Sequence, residues 1–160
     1  MAIELRKMTR ELYHRLYQDW ENDEAVYADM TLFRPYRYDA AQVDHYFDRK
    51  QQPDRLLFAI MLGERPIGEL HLKKIDPMEK ICFLSIHLQN GTVKGHGYGT
   101  EAEKQAVAYA FRALGMRTVF ADAILKNTRS RHVLEKVGFR PIGQDDRFAY
   151  YRINRDTDAF

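Results

Sequence analysis

The sequence predicts a mixed α/β fold, a sheet with helices on both faces. Three observations predict it. Between residues 56 and 88, three apolar runs are separated by tight turns, the pattern of an antiparallel meander. After residue 98, amphipathic helices that end in glycine alternate with strands, and strands joined by a helical crossover imply at least one parallel pair. Before residue 56, apolar residues recur mostly at helical spacing.

Taken in order, Ile3–Lys7 alternates apolar and charged residues as a short strand does. Thr9 suits a helix N-cap, and Leu12, Leu16 and Trp20 form the stripe of the helix behind it. Asp23–Met30 reads as a second, shorter helix and Thr31–Tyr38 as a loop. Asp39-Ala40-Ala41-Gln42 fits a capping box that opens a third helix, with Val43, Tyr46 and Phe47 inward. Leu56–Leu62, Ile67–Lys73 and Lys80–Leu88 are the meander strands, joined at Gly63–Pro66 and Asp76–Glu79. The loop Gln89–Gly97 leads to a helix over Tyr98–Leu114, buried along Ala102, Ala106, Val107, Ala110 and Phe111, with Gly115 at the C′ position. Thr118–Ile124 is a strand, Asn127–Val137 a helix closed by Gly138, and Arg140–Gly143 and Phe148–Ile153 are the last strands. The tail from Asn154 is polar and expected to fray.

Composition narrows the function classes. The 160 residues suit one domain, and 45% apolar content supplies a core. A net charge of +2 with 30% charged residues gives no basic face for nucleic acid. The single cysteine, Cys82, lies in an apolar run and reads as a buried structural thiol. Residues 1–7 lack the apolar segment of a secretory signal, and no run approaches the ~18 apolar residues of a membrane span. A soluble cytoplasmic protein, with no membrane partner and no metal site, is the expectation.

The motif Lys94-Gly95-His96-Gly97-Tyr98-Gly99-Thr100 follows a strand and opens a helix. Glycines there let backbone turn sharply and approach a ligand. The first helical amides have no intrahelical acceptor and the helix dipole favours an anion, so the joint makes a phosphate cradle. Lys94 adds charge at its edge. A Walker loop needs Gly-Lys-Ser/Thr after a four-residue gap, and a dinucleotide fingerprint needs Gly-x-Gly-x-x-Gly; neither is present.

This segment resembles the acyl-CoA-binding motif of the GNAT acetyltransferase superfamily, in which Gln or Arg precedes two residues and then Gly-x-Gly or Gly-x-Ala. Lys94 takes the first position as a conservative departure, and Gly97 and Gly99 match the glycines. Thr100-Glu101-Ala102 looks like the helix start of the branch that acetylates ribosomal-protein N-termini. Asn127 to Phe139, with Ser130 and Glu135-Lys136-Val137-Gly138-Phe139, is similar to the family's later motif. The resemblance covers residues 56–153 and is weaker before them.

That resemblance implies a largely antiparallel sheet with a central parallel pair that splays, Lys80–Leu88 against Thr118–Ile124. It divides a single N-acetyltransferase domain over 1–160 into a strand and acceptor-side helices (1–55), the meander and acyl-CoA core (56–153) and a tail (154–160). It implies acetyl-CoA as donor, with its thioester carbonyl on the amides near Ile86 and Leu88 and its pantetheine arm against Asn127, which also suits a helix N-cap. The family's usual tyrosine proton donor is Leu134 here, which does no acid–base work. For the base, Glu69 and His71 share one face of their strand, and Ser85 and His87 one face of the next; adjacent strands bring the four together, with Glu69 and His87 foremost. Aromatics and carboxylates in the N-terminal third, Trp20, Tyr27 and Tyr36 beside Glu21 and Asp23, suit a cationic amine: a protein N-terminus, polyamine or small molecule. The expected function is direct acetyl transfer to that amine. A non-catalytic acyl-CoA-binding module is the alternative, and the sequence leaves a homodimer open.

Overall fold

The computed structural model describes residues 2–155. Its elements are β1 (Glu4–Lys7), α1 (Arg10–Gln18), α2 (Ala40–Arg49), β2 (Leu56–Leu62), β3 (Arg65–Asp76), β4 (Ile81–Leu88), α3 (Tyr98–Arg112), β5 (Thr118–Ile124), α4 (Thr128–Val137), β6 (Arg140–Gln144) and β7 (Phe148–Asn154). The strands form one sheet in the order β1-β2-β3-β4-β5-β7-β6, antiparallel except for β4 and β5. Among the described residues no helix is long and apolar enough to cross a membrane.

Strand alternation sends two apolar sets to opposite faces. Leu57, Ala59 and Met61 of β2 pack under α1 and α2, against Leu12, Tyr13, Leu16, Tyr17 and Val43. Leu70 and Leu72 of β3, Cys82 and Leu84 of β4 and Val119, Ala121 and Ala123 of β5 face α3 and α4. Cys82 is fully buried in that second core, as its apolar neighbours imply.

The parallel pair matters most for the site. β4 and β5 pair only from Ile81↔Thr118 to Leu84↔Ala121, yet both strands run on. Beyond Leu84, β4 stays with β3 through Gly68↔Leu88, and β5 stays with β7 through Ile124↔Phe148. The sheet therefore parts into two arms around a wedge, the splayed pair that the family resemblance implies.

Two N-terminal expectations change. Asp23–Met30 is not a helix but part of two single 3₁₀ turns, Glu24–Val26 and Met30–Leu32. The Asp23 and Asp29 carboxylates each accept the amide two residues on, at 2.9 Å, a local bond that competes with helix continuation. α1 also ends at Gln18, so Trp20 lies past it and stacks on Tyr17, with centroids 4.5 Å apart. At the other end Asn154 closes β7 and accepts from the Thr118 hydroxyl at 2.7 Å, and the Arg155 amide donates to Arg117; the rest of the expected frayed tail, 156–160, lies outside the described residues.

Gly68 of β3 leaves no room for a side chain: a Cβ there would lie 2.7 Å from the His87 carbonyl oxygen and 3.0 Å from the Leu88 side chain. Replacing it with alanine should lower stability by about 1–3 kcal/mol, read as a lower urea midpoint, because a rigid backbone atom must move. An unchanged midpoint would show that the strands yield at this point.

Candidate active site

The glycine loop is set in place from its start. The Gln89 amide donates to Ile67 and its side chain donates to the Leu16 carbonyl at 2.7 Å. Asn90 then caps a short 3₁₀ turn, Gly91–Val93, and donates to the Asp19 carbonyl. Gly95 and Gly97 take left-handed φ values of +78° and +82°. Gly97 occupies the N-cap of α3, and no side chain caps the turn. The amides of Gly99 and Thr100 thus stand open at the positive end of the helix. Nothing lies within 4 Å of where a Cβ would project at Gly95 or Gly97. An anion fits this turn. His96 and Tyr98 build the loop: their rings stack at 5.3 Å, and His96 Nε2 hydrogen-bonds the Thr92 carbonyl. Lys94 is turned from the edge of the turn to an ion pair with Asp23 at 2.5 Å, so its charge also anchors the first 3₁₀ turn.

A cleft of about 620 Å³ opens along the end of β4, past its last pair with β5. One end is lined by Gly99, Asn127, Ser130 and Val133, the other by Tyr17, Trp20, Tyr36, Tyr46 and Glu69, with Ile86, His87 and Leu88 between. The Gln89 amide bonds to β3, so by the two-residue period the odd residues of β4 turn their backbone to β3. Ile86 and Leu88 turn theirs to the wedge, where β5 no longer takes them up. Asn127 accepts the Ser130 amide at 3.1 Å as the α4 cap and lines the cleft as well.

Register brings the four base candidates together: Glu69 lies opposite His87, and His71 opposite Ser85. Only Glu69 and His87 line the cleft. His71 is 4% exposed behind Glu69, its Nε2–H donated to Glu69 Oε1 at 2.9 Å, which leaves Nδ1 buried without a partner. Ser85 lies one register step further from the mouth. Glu69, 2% exposed, also accepts from Lys50 at 3.2 Å and from the Tyr17 hydroxyl at 2.9 Å. Burial pushes its pKa up, but the His71 hydrogen bond and the Lys50 charge outweigh it and hold the carboxyl well below the usual range. Three donors hold its two oxygens, so Glu69 is a fixed negative charge. His87 differs. Its ring opens to the cleft while surrounding protein penalises the cation, so its pKa is lowered despite the attraction of Glu69, and it is neutral at pH 7.

Several cleft residues carried no earlier assignment. Lys50, the α2 C-cap, neutralises Glu69, and Arg129 in the first turn of α4 faces Lys94 across the mouth. Glu103 lines the cleft from α3, is 1% exposed, and has an Oε1 with no partner. Its sequence signal was a charge placed four residues after Gly99 and four before Val107, on the apolar stripe. Leu134 is 2% exposed in the core, and Val133 and Ser130 face the cleft instead.

A family model described as an acetyltransferase (GNAT) domain matches residues 2–140. No curated protein sequence matches the chain. Among solved structures, a spermidine N-acetyltransferase from Vibrio cholerae in complex with CoA and spermine superposes with a TM-score of 0.78 at 15% identity, covering 97% of this chain and 96% of its own. A structure described as a probable acetyltransferase gives 0.76 at 18% identity, covering 97% and 94%.

The Glu69 cluster links stability to pH. The pKa values of His71 and Glu69 are both lowered, the former chiefly by burial, so in acid the unfolded chain binds protons that the folded chain refuses. Stability should be level near neutrality, decline as pH falls below the ordinary histidine value of 6.5, and decline further below the ordinary glutamate value of 4.5. Glu69→Gln should remove the lower limb and cost about 3 kcal/mol at pH 7, because Lys50 loses its counter-charge. Urea unfolding across pH checks both, and a flat profile contradicts the assignment.

Proposed function

This chain belongs to the GNAT acetyltransferase family and is an acetyl-CoA-dependent N-acetyltransferase, and on that premise we propose that it acetylates a primary alkylamine of the polyamine kind by direct attack on the thioester. One observation carries the reading: a single cleft at the end of β4, past its last pair with β5, joins an uncapped helix turn on one face to the Glu69–His87 pair on the other.

The two ends suit different molecules. The open amides of α3 hold the donor's diphosphate, Asn127 lies along its pantetheine arm, and the amides of Ile86 and Leu88 receive the charge that grows on the thioester oxygen. Tyr17, Trp20, Tyr36 and Tyr46 wall the acceptor end and offer ring faces to an ammonium, with Glu21 at its edge. His87 takes the proton of the attacking nitrogen. Glu69, opposite it, holds negative charge beside the imidazolium that forms and the cation that enters. The polyamine assignment draws support from these walls and from the spermine-bound fold neighbour. The helix start Thr100-Glu101-Ala102 favours a second reading, a peptide N-terminus as in the ribosomal-protein branch.

Thiol release from acetyl-CoA across a panel of spermidine, spermine, N-terminal peptides and anionic or neutral compounds separates these. Turnover is expected with amines alone and with highest kcat/KM for polyamines; a preference for peptides supports the N-terminal reading. Donor binding with no turnover on any amine would leave a non-catalytic acyl-CoA module. The acid limb of kcat/KM should fall below pH 6.5, because His87 must be unprotonated to act and its pKa is lowered. His87→Gln should remove that limb and reduce kcat/KM by about 10²-fold.

A further inference from the structure

A second proton must move when the thioester breaks, and its donor is not where the family places it. Leu134 holds that position and is buried in the core. On the same side of the sheet, Glu103 is the one buried carboxyl among the described residues that faces the cleft from a helix. α3 connects two parallel strands, so it runs back along the sheet, antiparallel to β4. A Cβ on Gly99 would lie 3.9 Å from the Leu88 side chain, which fixes the start of the helix beside the end of β4. Four residues of helix advance about 6 Å, close to the span of two strand residues. Glu103 is therefore level with Ile86, the first residue past the last β4–β5 pair whose backbone faces the wedge. That is the point at which the proposed oxyanion amides begin.

We propose that Glu103 is the proton donor to the departing coenzyme A sulfur, taking the place of the family tyrosine from the adjacent helix. The inference rests on the reading of the cleft given under Proposed function. As the nitrogen–carbon bond forms, the nitrogen loses its proton to His87 on one face of the sheet. The carbon–sulfur bond then breaks, its electron pair goes to sulfur, and the Glu103 hydroxyl gives its proton to that sulfur. Coenzyme A leaves as the thiol. The Glu103 carboxylate regains a proton from water in the cleft, and His87 returns one to water.

The surroundings keep Glu103 protonated for this task. The elements packed on α3 are β1, β3, β4, β5 and α4. On that side they present apolar groups such as Leu70, Leu84, Ala121 and Leu134. The charged and titratable groups that share the cleft, His87, Glu69, Lys94 and Arg129 among them, do not contribute to its shift. Burial alone pushes the carboxyl up to about 8. An acid of that strength is protonated at pH 7 and close to matched with a thiol, which is efficient for transfer in either direction.

The experiment compares Glu103→Gln and Glu103→Leu with the wild type. Both variants should lower kcat for acetyl transfer by about 10²-fold, with little change in the donor's KM. Difference infrared spectra at pH 7 should show a protonated carboxyl band in the wild type that both variants lack. Glu103→Leu should also raise the urea midpoint, since it replaces an unpartnered buried carboxyl with an apolar group, so slow turnover in that variant is not loss of fold. Variants as fast as wild type, a raised KM at unchanged kcat, or a carboxylate band at pH 7 each overturn the assignment while leaving the amine reading intact. A wild type that releases no thiol with any amine overturns both.

Discussion

The site depends on a competition for backbone hydrogen bonds between four strands. β4 and β5 begin as parallel neighbours and then each commits to its antiparallel partner, β4 to β3 as far as Leu88 and β5 to β7 as far as Ile124. Antiparallel pairing is the slightly more stable arrangement per residue, and each strand keeps it to the end. The cost falls on the wedge, where the amides of Ile86 and Leu88 face open space. An unpaired buried amide is expensive, so such a wedge persists only where a ligand or water satisfies it. The proposed oxyanion donors are thus a by-product of how the sheet divides, and they are rigid because both arms are fully paired elsewhere.

The two faces of the divided sheet are built from different chemistry. Under α1 and α2, the aromatic cluster of Tyr13, Tyr17 and Trp20 surrounds a polar centre, with Lys50 bridging the Tyr13 hydroxyl and Glu69. Burial raises the pKa of both tyrosines, so they remain neutral donors or acceptors and do not compete with Glu69 for charge. Under α3 and α4 the packing is apolar up to the glycine turn, apart from the buried Glu103. In the proposed reading the anionic donor meets the open amides of α3 with Arg129 at the mouth of the cleft, since Lys94 is already paired with Asp23. That ion pair also ties the acceptor-side 3₁₀ turn to the donor-side loop across the mouth of the cleft.

Most of the framework was legible from the chain. β2 and β5 have the expected bounds because each is an apolar run between turn residues; α3 starts where expected but ends at Arg112, two residues before the expected Leu114, ahead of the left-handed Gly115. The Asp23–Met30 segment departs from the expected helix because the Asp23 and Asp29 carboxylates take up the amides two residues on, a competition that the apolar spacing does not show. Alternation placed Glu69, His71, Ser85 and His87 on one face, and register gathered them. It did not say which two would meet the cleft. That depends on the residue at which β4 leaves β5, a competition between distant strands with no local signature. Glu103 was legible in principle, as a charge on a stripe of alanines and valine, but helical periodicity alone does not distinguish a buried acid from an error in the phase of the stripe.

Two glutamates with opposite fates flank the wedge. Glu69 is surrounded by Lys50, His71 and Tyr17, so its charge is stabilised despite burial. Glu103 has no such partners, so burial acts alone and keeps it neutral. Environments that drive two like groups apart are how one site runs acid and base chemistry at one pH. In the proposed reaction the division is spatial as well: the fixed anion sits opposite His87 on the face assigned to the incoming cation, and the neutral acid on the face assigned to the departing sulfur. The direction of proton traffic therefore follows from which carboxyl was given a lysine.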